Sequence, residues 1–173
     1  MPVRPEGKRS TTRQLAWCAG FALALCAAWQ SGEAPAAESG AAESIASFPQ
    51  SALEIRSSLG RQWFNIHIAD NEARQEQGLM YVRALPADEG MLFPATKPRV
   101  MTFWMKNTVI PLDLLFVTAH GRIACLREQA RPLVLDLITC DKAVKAVLEI
   151  GGGEAAKRGI RVGDLVVHAV FHR

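Results

Sequence analysis

The sequence lacks the short motifs by which several enzyme and metal-binding classes can be recognised. It has no G-x-S-x-G nucleophile elbow and no glycine loop ending in G-K-[ST], and GGGEAAKRG at 151–159 fits a glycine loop entering a helix better than a phosphate cradle. Its histidines show no ligand spacing on a predicted helix, whereas a zinc site needs three or four converging ligands. They are His67, His120, His168 and His172. We therefore expect no metal and no cofactor, and no motif assigns a catalytic residue.

Basic clusters are also absent beyond the N-terminus. Removing residues 1–37 takes away four of the 20 Lys/Arg and two of the 17 Asp/Glu, which leaves 16 basic against 15 acidic residues. Nucleic-acid binding needs grouped cations that displace counterions from phosphates. We therefore expect no nucleic-acid partner.

Cysteine is scarce, and none of it has C-x-x-C spacing. Two of the four cysteines lie in the N-terminal apolar segment, so only Cys125 and Cys140 remain after it. In an oxidising compartment these two either form a disulfide or stay as separate buried thiols. Both interpretations are left open by the sequence.

The N-terminus carries an export signature. Basic residues before residue 15 are followed by LAWCAGFALALCAAW at 15–29, a charge-free run shorter than the about 20 residues of a membrane-spanning helix. We interpret residues 1–37 as a signal peptide, with an uncleaved inner-membrane anchor as the alternative, and expect a periplasmic or secreted protein. Any membrane contact is expected only through this segment, if it stays uncleaved. Residues 38–52, rich in Ala, Ser, Gly and Glu, are predicted to be a flexible linker to a single domain at 53–173.

The remaining pattern predicts a mainly β domain (α+β by count). WFNIHIA at 63–69 alternates with a period of two, Asp70 is the expected N-cap of a short helix that Gly78 ends, and His120-Gly121 joins two strand-like runs as a hairpin. Turn signals separate about seven short strands and two short helices, with no long crossover helix. This favours a compact antiparallel sandwich or barrel of jelly-roll-like character.

FWMKNTVIPLDLLFV at 103–117 places polar residues inside an apolar run. One interpretation is a connecting loop in which Asn107 adopts a left-handed conformation. The other is a ligand pocket in which Trp104 stacks, Lys106 supplies a point charge and Asn107 reads a polar group. Trp104 and Lys106 share strand parity, so both belong on one face.

Asp113 and Glu128 are the other candidates for chemistry. The predicted hairpin brings them opposite each other or nearly so, and two carboxyl groups facing one cleft can perform acid–base catalysis on a glycan. The alternative is that Asp113 accepts backbone hydrogen bonds from the preceding loop while Glu128 is solvated.

Several segments together resemble the bacterial and archaeal family called domain of unknown function 192. They are ADNEARQEQGLMYV, LPADEGMLF, FWMKNTVIPLDLLFVTAHGRI and VLEIGGGEAAKRGIRVGD, spanning about Phe64 to Val167. The residues that match the family motif are Gly78, Leu79, Met80, Gly90, Met91, Trp104, Met105, Lys106, Asn107, Pro111, Asp113, Leu148 and Glu149. The resemblance implies a compact β domain behind an export signal and implies no reaction. A disulfide between Cys125 and Cys140 would be a feature of this member alone.

These observations lead to three functional hypotheses. The first is a non-enzymatic exported module that binds a small molecule, a glycan or an envelope protein through Trp104, Lys106 and Asn107. The second is a hydrolase of envelope glycans that uses Asp113 and Glu128. The third is a structural partner in an envelope assembly.

Overall fold

The structure, a computed structural model, describes residues 44–171, so the predicted signal peptide and His172 lie outside the described residues. In this range the elements are β1 (Gln50–Ser57), β2 (Gly60–Ile68), α1 (Glu72–Gln77), β3 (Glu89–Arg99), β4 (Thr102–Phe103), β5 (Leu112–Val117), β6 (Ile123–Ala130), β7 (Ile138–Thr139), β8 (Val144–Gly151), α2 (Glu154–Lys157) and β9 (Leu165–Val167). Short 3-10 helices, Ile45–Ser47 and Ala169–Phe171, stand at the two ends. None of the helices described is long and apolar enough to cross a membrane.

The mainly β prediction is confirmed. Seven strands form one sheet in the order β6-β5-β8-β3-β2-β1-β9, and β4 pairs with β7 in a separate two-stranded sheet. The pairs are antiparallel except β2–β3, which is parallel. An antiparallel fold throughout was expected. Instead, α1 and the loop after it return the chain to the end of the sheet at which β2 begins, so that β3 runs parallel to β2.

The large sheet curls until its two edges meet. Val166 N donates to Gly121 O at 2.7 Å and Ile123 N donates to Asp164 O at 3.0 Å, so β9 contacts the start of β6. One apolar cluster draws residues from all seven strands of this sheet and fills the enclosed side. A second cluster covers the outer face of β3, β5 and β8 under the segments around β4 and β7.

The central strands β5 and β8 are therefore buried on both faces. All six residues of β5 are buried, Asp113 included. A strand covered on both sides has a nearly continuous apolar sequence. This explains why LDLLFV does not alternate, and its predicted bounds, 112–117, are those observed.

The predicted boundaries differ from the structure at the N-terminal side. The linker assigned to 38–52 is too long, because Phe48 is buried and β1 begins at Gln50. Phe48 packs in the outer cluster, with the Arg74 guanidinium over its ring. The N-cap of α1 is Asn71, whose side chain accepts from Arg74 N, while Asp70 forms an ion pair with the Arg74 side chain instead.

Candidate functional site

The loop between β4 and β5 presents the predicted aromatic and basic residues together. Trp104 is 45% exposed and the Lys106 ammonium lies 5.1 Å from the centre of its ring. Met105, between them, is buried, and its N–H donates to Val134 O. The alternation along Phe103–Lys106 thus directs Trp104 and Lys106 outward, as their shared parity predicts.

Asn107 forms the turn of this loop. Its φ is 56°, in the left-handed region that asparagine tolerates, and its carbonyl accepts from Tyr81 N at 2.9 Å. Its side-chain amide faces the Met80 sulfur at 3.8 Å. The neighbouring Thr108 is buried, with its hydroxyl donating to Lys106 O. Asn107 therefore shapes the loop.

A cavity of about 290 Å³ opens beside this loop. Its lining mixes apolar side chains with a similar number of polar and charged ones. It comprises the end of α1 and the turn after it (75–80), Phe93, Arg99, Met101, Thr102, Phe103, Trp104, Lys106, Thr108 and Glu149. Among the residues predicted from sequence, the lining includes Trp104 and Lys106 but not Asn107, Asp113 or Glu128.

Glu149 is the residue in this cavity that sequence reasoning did not assign a role. It lies in the middle of β8, paired with Met91 of β3 and Leu114 of β5, both fully buried. Its side chain is 5% exposed, and burial raises the pKa of the carboxyl to about 8. Within residues 44–171 this carboxyl has no hydrogen-bond or ion-pair partner.

The cavity therefore contains an acid that is mainly protonated at neutral pH. A protonated carboxyl donates one hydrogen bond and can accept another. Perturbed carboxyl groups of this kind occur preferentially at functional sites. The available sequence signal was a single acidic residue in the apolar run AVLEI at 146–150, where a solvated side chain is not expected.

Asp113 has a different environment. Its carboxylate accepts from the backbone N–H of Gln129 at 2.7 Å, of Gly153 at 3.0 Å and of Ala155 at 2.8 Å. It joins β5 to β6 and to the first turn of α2, and it is fully buried. This is the hydrogen-bonding role that was the alternative to catalysis, but the donors lie on β6 and at the start of α2 and not in the preceding loop.

Glu128 lies opposite Asp113 in the register but does not share its environment. Leu112 pairs with Ala130 and Leu114 with Arg127, and a bulge between them places residues 128–129 across from Asp113. Glu128 is exposed in this bulge. Asp113 and Glu128 thus lie opposite each other in the strand pair, as predicted, but Asp113 is buried and Glu128 is exposed.

The triple glycine has a packing explanation. Gly153 has φ 88°, and a Cβ on Gly152 would lie 2.8 Å from Pro111 Cβ. Only glycine accommodates both the left-handed turn and this close approach. The following helix, α2, has four residues, and its first N–H groups are directed at Asp113.

The described histidines each have different surroundings. His67 is buried, with Nε2 3.4 Å from Glu89, and His168 contacts the Ser51 hydroxyl at 3.1 Å. His120 is exposed in the hairpin turn. Between residues 44 and 171, no three His, Cys, Asp or Glu residues form a group that could hold a metal ion.

Cys125 and Cys140 are joined by a disulfide, with Cα atoms 6.0 Å apart. Cys125 lies on β6 and Cys140 directly follows β7. Since β7 pairs with β4, and Thr139 also donates to Met101 O, the disulfide ties the cavity wall formed by 101–104 to the large sheet.

Comparison with protein families decides where this chain belongs. The family model DUF192, described as Uncharacterized ACR, COG1430, matches residues 54–168. The chain belongs to the DUF192 family. The match covers the whole curled sheet apart from the first part of β1.

Two solved structures have the same fold as this DUF192 domain. A protein of unknown function from Novosphingobium aromaticivorans DSM 12444 is 36% identical with a TM-score of 0.70, over 74% of this chain and 91% of that one. A proposed transcription regulator from Sinorhizobium meliloti 1021 is 32% identical with a TM-score of 0.69, over 71% of this chain and 96% of that one. A comparison with curated proteins finds no match.

Many residues that carry the family resemblance lie at this cavity. Gly78, Leu79, Met80, Trp104, Lys106 and Glu149 all line it. The residues of the DUF192 motif therefore occur at two places, the cavity and the polar contacts around Asp113.

Proposed function

We propose that this DUF192 domain is a non-enzymatic binding module that takes a small molecule into the cavity beside Glu149. The observation that carries the proposal is the buried, unpartnered Glu149 carboxyl in a cavity that also contains three aromatic side chains. Leaving a polar group buried without a partner costs free energy. A ligand that supplies the missing partner recovers that free energy on binding.

The surrounding charges define the ligand class. Protonated Glu149 donates to an acceptor such as a carbonyl or carboxylate oxygen, while Phe93, Phe103 and Trp104 provide apolar contact. Lys106 and Arg99 are exposed cations in the lining and Glu76 is an exposed anion there, so the excess of one positive charge favours a ligand with negative charge. The proposed ligand is a compact aromatic or apolar molecule bearing a carbonyl or carboxylate.

A pH-resolved titration tests this proposal. Residues 40–173 are titrated with a panel of aromatic carboxylates by calorimetry, at pH values below and above 8. Binding should weaken as the pH rises through the pKa of Glu149, about 8, because the donor is lost. Glu149→Gln keeps an amide donor, so it should bind with little pH dependence, whereas Glu149→Leu should not bind.

Glu128→Gln is the matched control, since Glu128 is an exposed glutamate outside the cavity lining. It should leave affinity and pH dependence unchanged. Amines provide the opposite arm of the panel, because a cation would pair with deprotonated Glu149. Tighter binding of amines as the pH rises, abolished in Glu149→Gln, would contradict the proposed ligand class.

We also propose that the domain works outside the cytoplasm. The apolar run at 15–29 and the Cys125–Cys140 disulfide support this, because disulfides persist in oxidising compartments. Cell fractionation of a C-terminally tagged full-length chain tests it. Recovery of the protein in the cytosol, with both thiols free to alkylation, would overturn it.

The hydrolase hypothesis has weaker support. The Asp113 carboxylate already accepts three backbone N–H groups, and Glu128 is solvent-exposed across the bulge. Glycan turnover that disappears in Glu128→Gln with unchanged folding would revive this hypothesis.

A further inference from the structure

Exposed apolar side chains concentrate in one region of the described domain. Ten large apolar side chains are exposed, and seven of them lie in the three segments 80–83, 99–109 and 131–138. They are Tyr81, Val100, Trp104, Val109, Leu133, Leu135 and Leu137. We call these exposed side chains the apolar surface. Single exposed apolar residues are ordinary, but a grouped set marks an interaction site.

Backbone contacts show that the three segments are neighbours. Tyr81 N donates to Asn107 O at 2.9 Å, and Leu133 N donates to Thr108 O at 3.1 Å. Phe103 of β4 pairs with Ile138 of β7, which brings the neighbours of both strands together. The three segments that carry the apolar surface are therefore adjacent in the fold, although they come from distant parts of the sequence.

The segment at 131–138 has the highest exposure. Leu133, Leu135 and Leu137 are 60%, 63% and 69% exposed, while Val134 between them is half-buried. This alternation directs three leucines into solvent within five residues. Packing inside the domain does not explain them, because all three side chains are more than half exposed.

Positive charge accompanies the apolar surface. The three segments contain Arg83, Arg99, Lys106 and Arg131 against Asp136, a net charge of +3, and all five are exposed. Residues 44–171 contain 15 Lys/Arg and 13 Asp/Glu, so the rest of the domain has 11 basic against 12 acidic residues. The excess of positive charge in the described domain thus lies in the three segments that carry the apolar surface, and Arg83, Arg99 and Lys106 supply it, since Arg131 and Asp136 balance each other beside the leucines.

We propose that the apolar surface docks the domain on an anionic phospholipid bilayer. Leucine side chains enter the boundary of the acyl chains, tryptophan and tyrosine rings prefer the headgroup level, and Lys/Arg attract anionic lipids. The surface supplies all three kinds of group. Its net positive charge favours an anionic bilayer over a neutral protein surface, and Trp104 and Lys106 place the cavity next to the lipid headgroups.

The fragment 40–173 is suited to testing this, since it lacks the N-terminal apolar run. Residues 40–173 form a compact unit. The match covers 91% and 96% of the two solved relatives, so in those proteins this fold forms without further domains. Co-sedimentation is measured with vesicles of phosphatidylcholine alone and of equimolar phosphatidylcholine and phosphatidylglycerol. Partitioning into the anionic vesicles should be about tenfold stronger or more.

Two double variants separate the apolar surface from general hydrophobicity. Leu135→Ser/Leu137→Ser should reduce partitioning into anionic vesicles about tenfold. Leu59→Ser/Val162→Ser removes two apolar side chains of similar exposure, 67% and 57%, from outside the three segments, and it should bind as the parent does. Melting curves confirm that both variants are folded.

A charge variant tests the choice of lipid. Arg83→Gln/Arg131→Gln lies outside the cavity lining and should weaken binding to anionic vesicles severalfold without changing the melting temperature. Equal binding to neutral and anionic vesicles would overturn the proposal, as would no binding to either. A parent dimer that becomes monomeric in Leu135→Ser/Leu137→Ser, without lipid binding, would instead make the surface an interface between copies.

Discussion

Asp113 and Glu149 are buried acidic residues on the neighbouring strands β5 and β8, and their surroundings differ in every other respect. In the strand register Asp113 pairs with Ile150 and Glu149 pairs with Leu114, so the two carboxyls point to opposite faces of the sheet. On one face, three backbone N–H groups are directed at Asp113. On the other, Glu149 meets apolar side chains and an open cavity.

The difference shows that burial of an acidic residue does not by itself identify a functional site. The region around Asp113 has satisfied its polar groups internally, so it has no capacity left for a ligand. The region around Glu149 keeps an unsatisfied group next to free volume. We therefore assign stability to the first region and the proposed ligand binding to the second, and each prediction below tests one side of this division.

Asp113→Ala should cause the largest loss of stability. It leaves the buried N–H group of Ala155 and the partly buried N–H groups of Gln129 and Gly153 without an acceptor. A buried group without a partner costs roughly 1–3 kcal/mol, so we expect a loss of about 3 kcal/mol in the free energy of unfolding. Urea denaturation of residues 40–173 measures it. Asp136→Ala, at an exposed aspartate, is the control and should change stability by less than about 0.5 kcal/mol.

Asp113→Asn refines this test, because it keeps the shape and one acceptor oxygen. It should lose less than Asp113→Ala. If Asp113→Ala proved nearly neutral while abolishing ligand binding, the division between the two regions would be wrong.

Removing the disulfide should cost slightly less. Cys125 and Cys140 are 15 residues apart, and closing a loop of this length stabilises a protein by about 3 kcal/mol. The double variant Cys125→Ala/Cys140→Ala should lose this amount and should also bind ligand more weakly, since β7 supports the cavity wall. The single variants are controls for packing, and an unchanged urea midpoint in the double variant would contradict the expectation.

Glu149 should give the domain a pH-dependent stability. Folding raises the pKa of its carboxyl from the ordinary 4.5 to about 8, so the native state binds more protons than the unfolded state between these values. Stability should therefore fall as the pH rises through this interval, by up to about 1.4 kcal/mol per pH unit, and level off above it.

Glu149→Gln provides the comparison for this effect. The amide does not titrate, so the difference in unfolding free energy between Glu149→Gln and the parent should grow with pH from near zero at pH 5. Denaturation series at several pH values measure this difference. A constant difference across the series would mean that the Glu149 carboxyl is solvated or paired in the native state.

Local features of the fold were accessible from the sequence because local chemistry determines them. Alternation and continuous apolar runs predicted β2 and β5, and the turn tendencies of Asn107 and His120-Gly121 predicted the loop and the hairpin. The parallel pairing of β2 with β3 was missed, because no local signal distinguishes it from an antiparallel neighbour. It depends on the path of the chain through α1.

Only part of the candidate site could be predicted from the sequence, for the same reason. Trp104 and Lys106 stood out in one segment, but the cavity also needs the turn after α1, the end of β3 and the middle of β8. The raised pKa of Glu149 arises from its burial on β8, a strand that lies between β3 and β5. A property produced by burial among distant residues becomes visible only when the pairing is known.

Lys106→Ala should have the smallest effect on stability and still impair binding. Lys106 is exposed, and its contact with the Trp104 ring contributes about 0.5–1 kcal/mol at such a site. The variant should therefore melt within a few degrees of the parent while losing affinity for anionic ligands. Lys97→Ala, an exposed lysine outside the cavity lining, should alter neither property. Unchanged ligand affinity in Lys106→Ala would confine the binding region to Glu149 and its apolar neighbours, because the cation at the cavity mouth would then have no part in recognition.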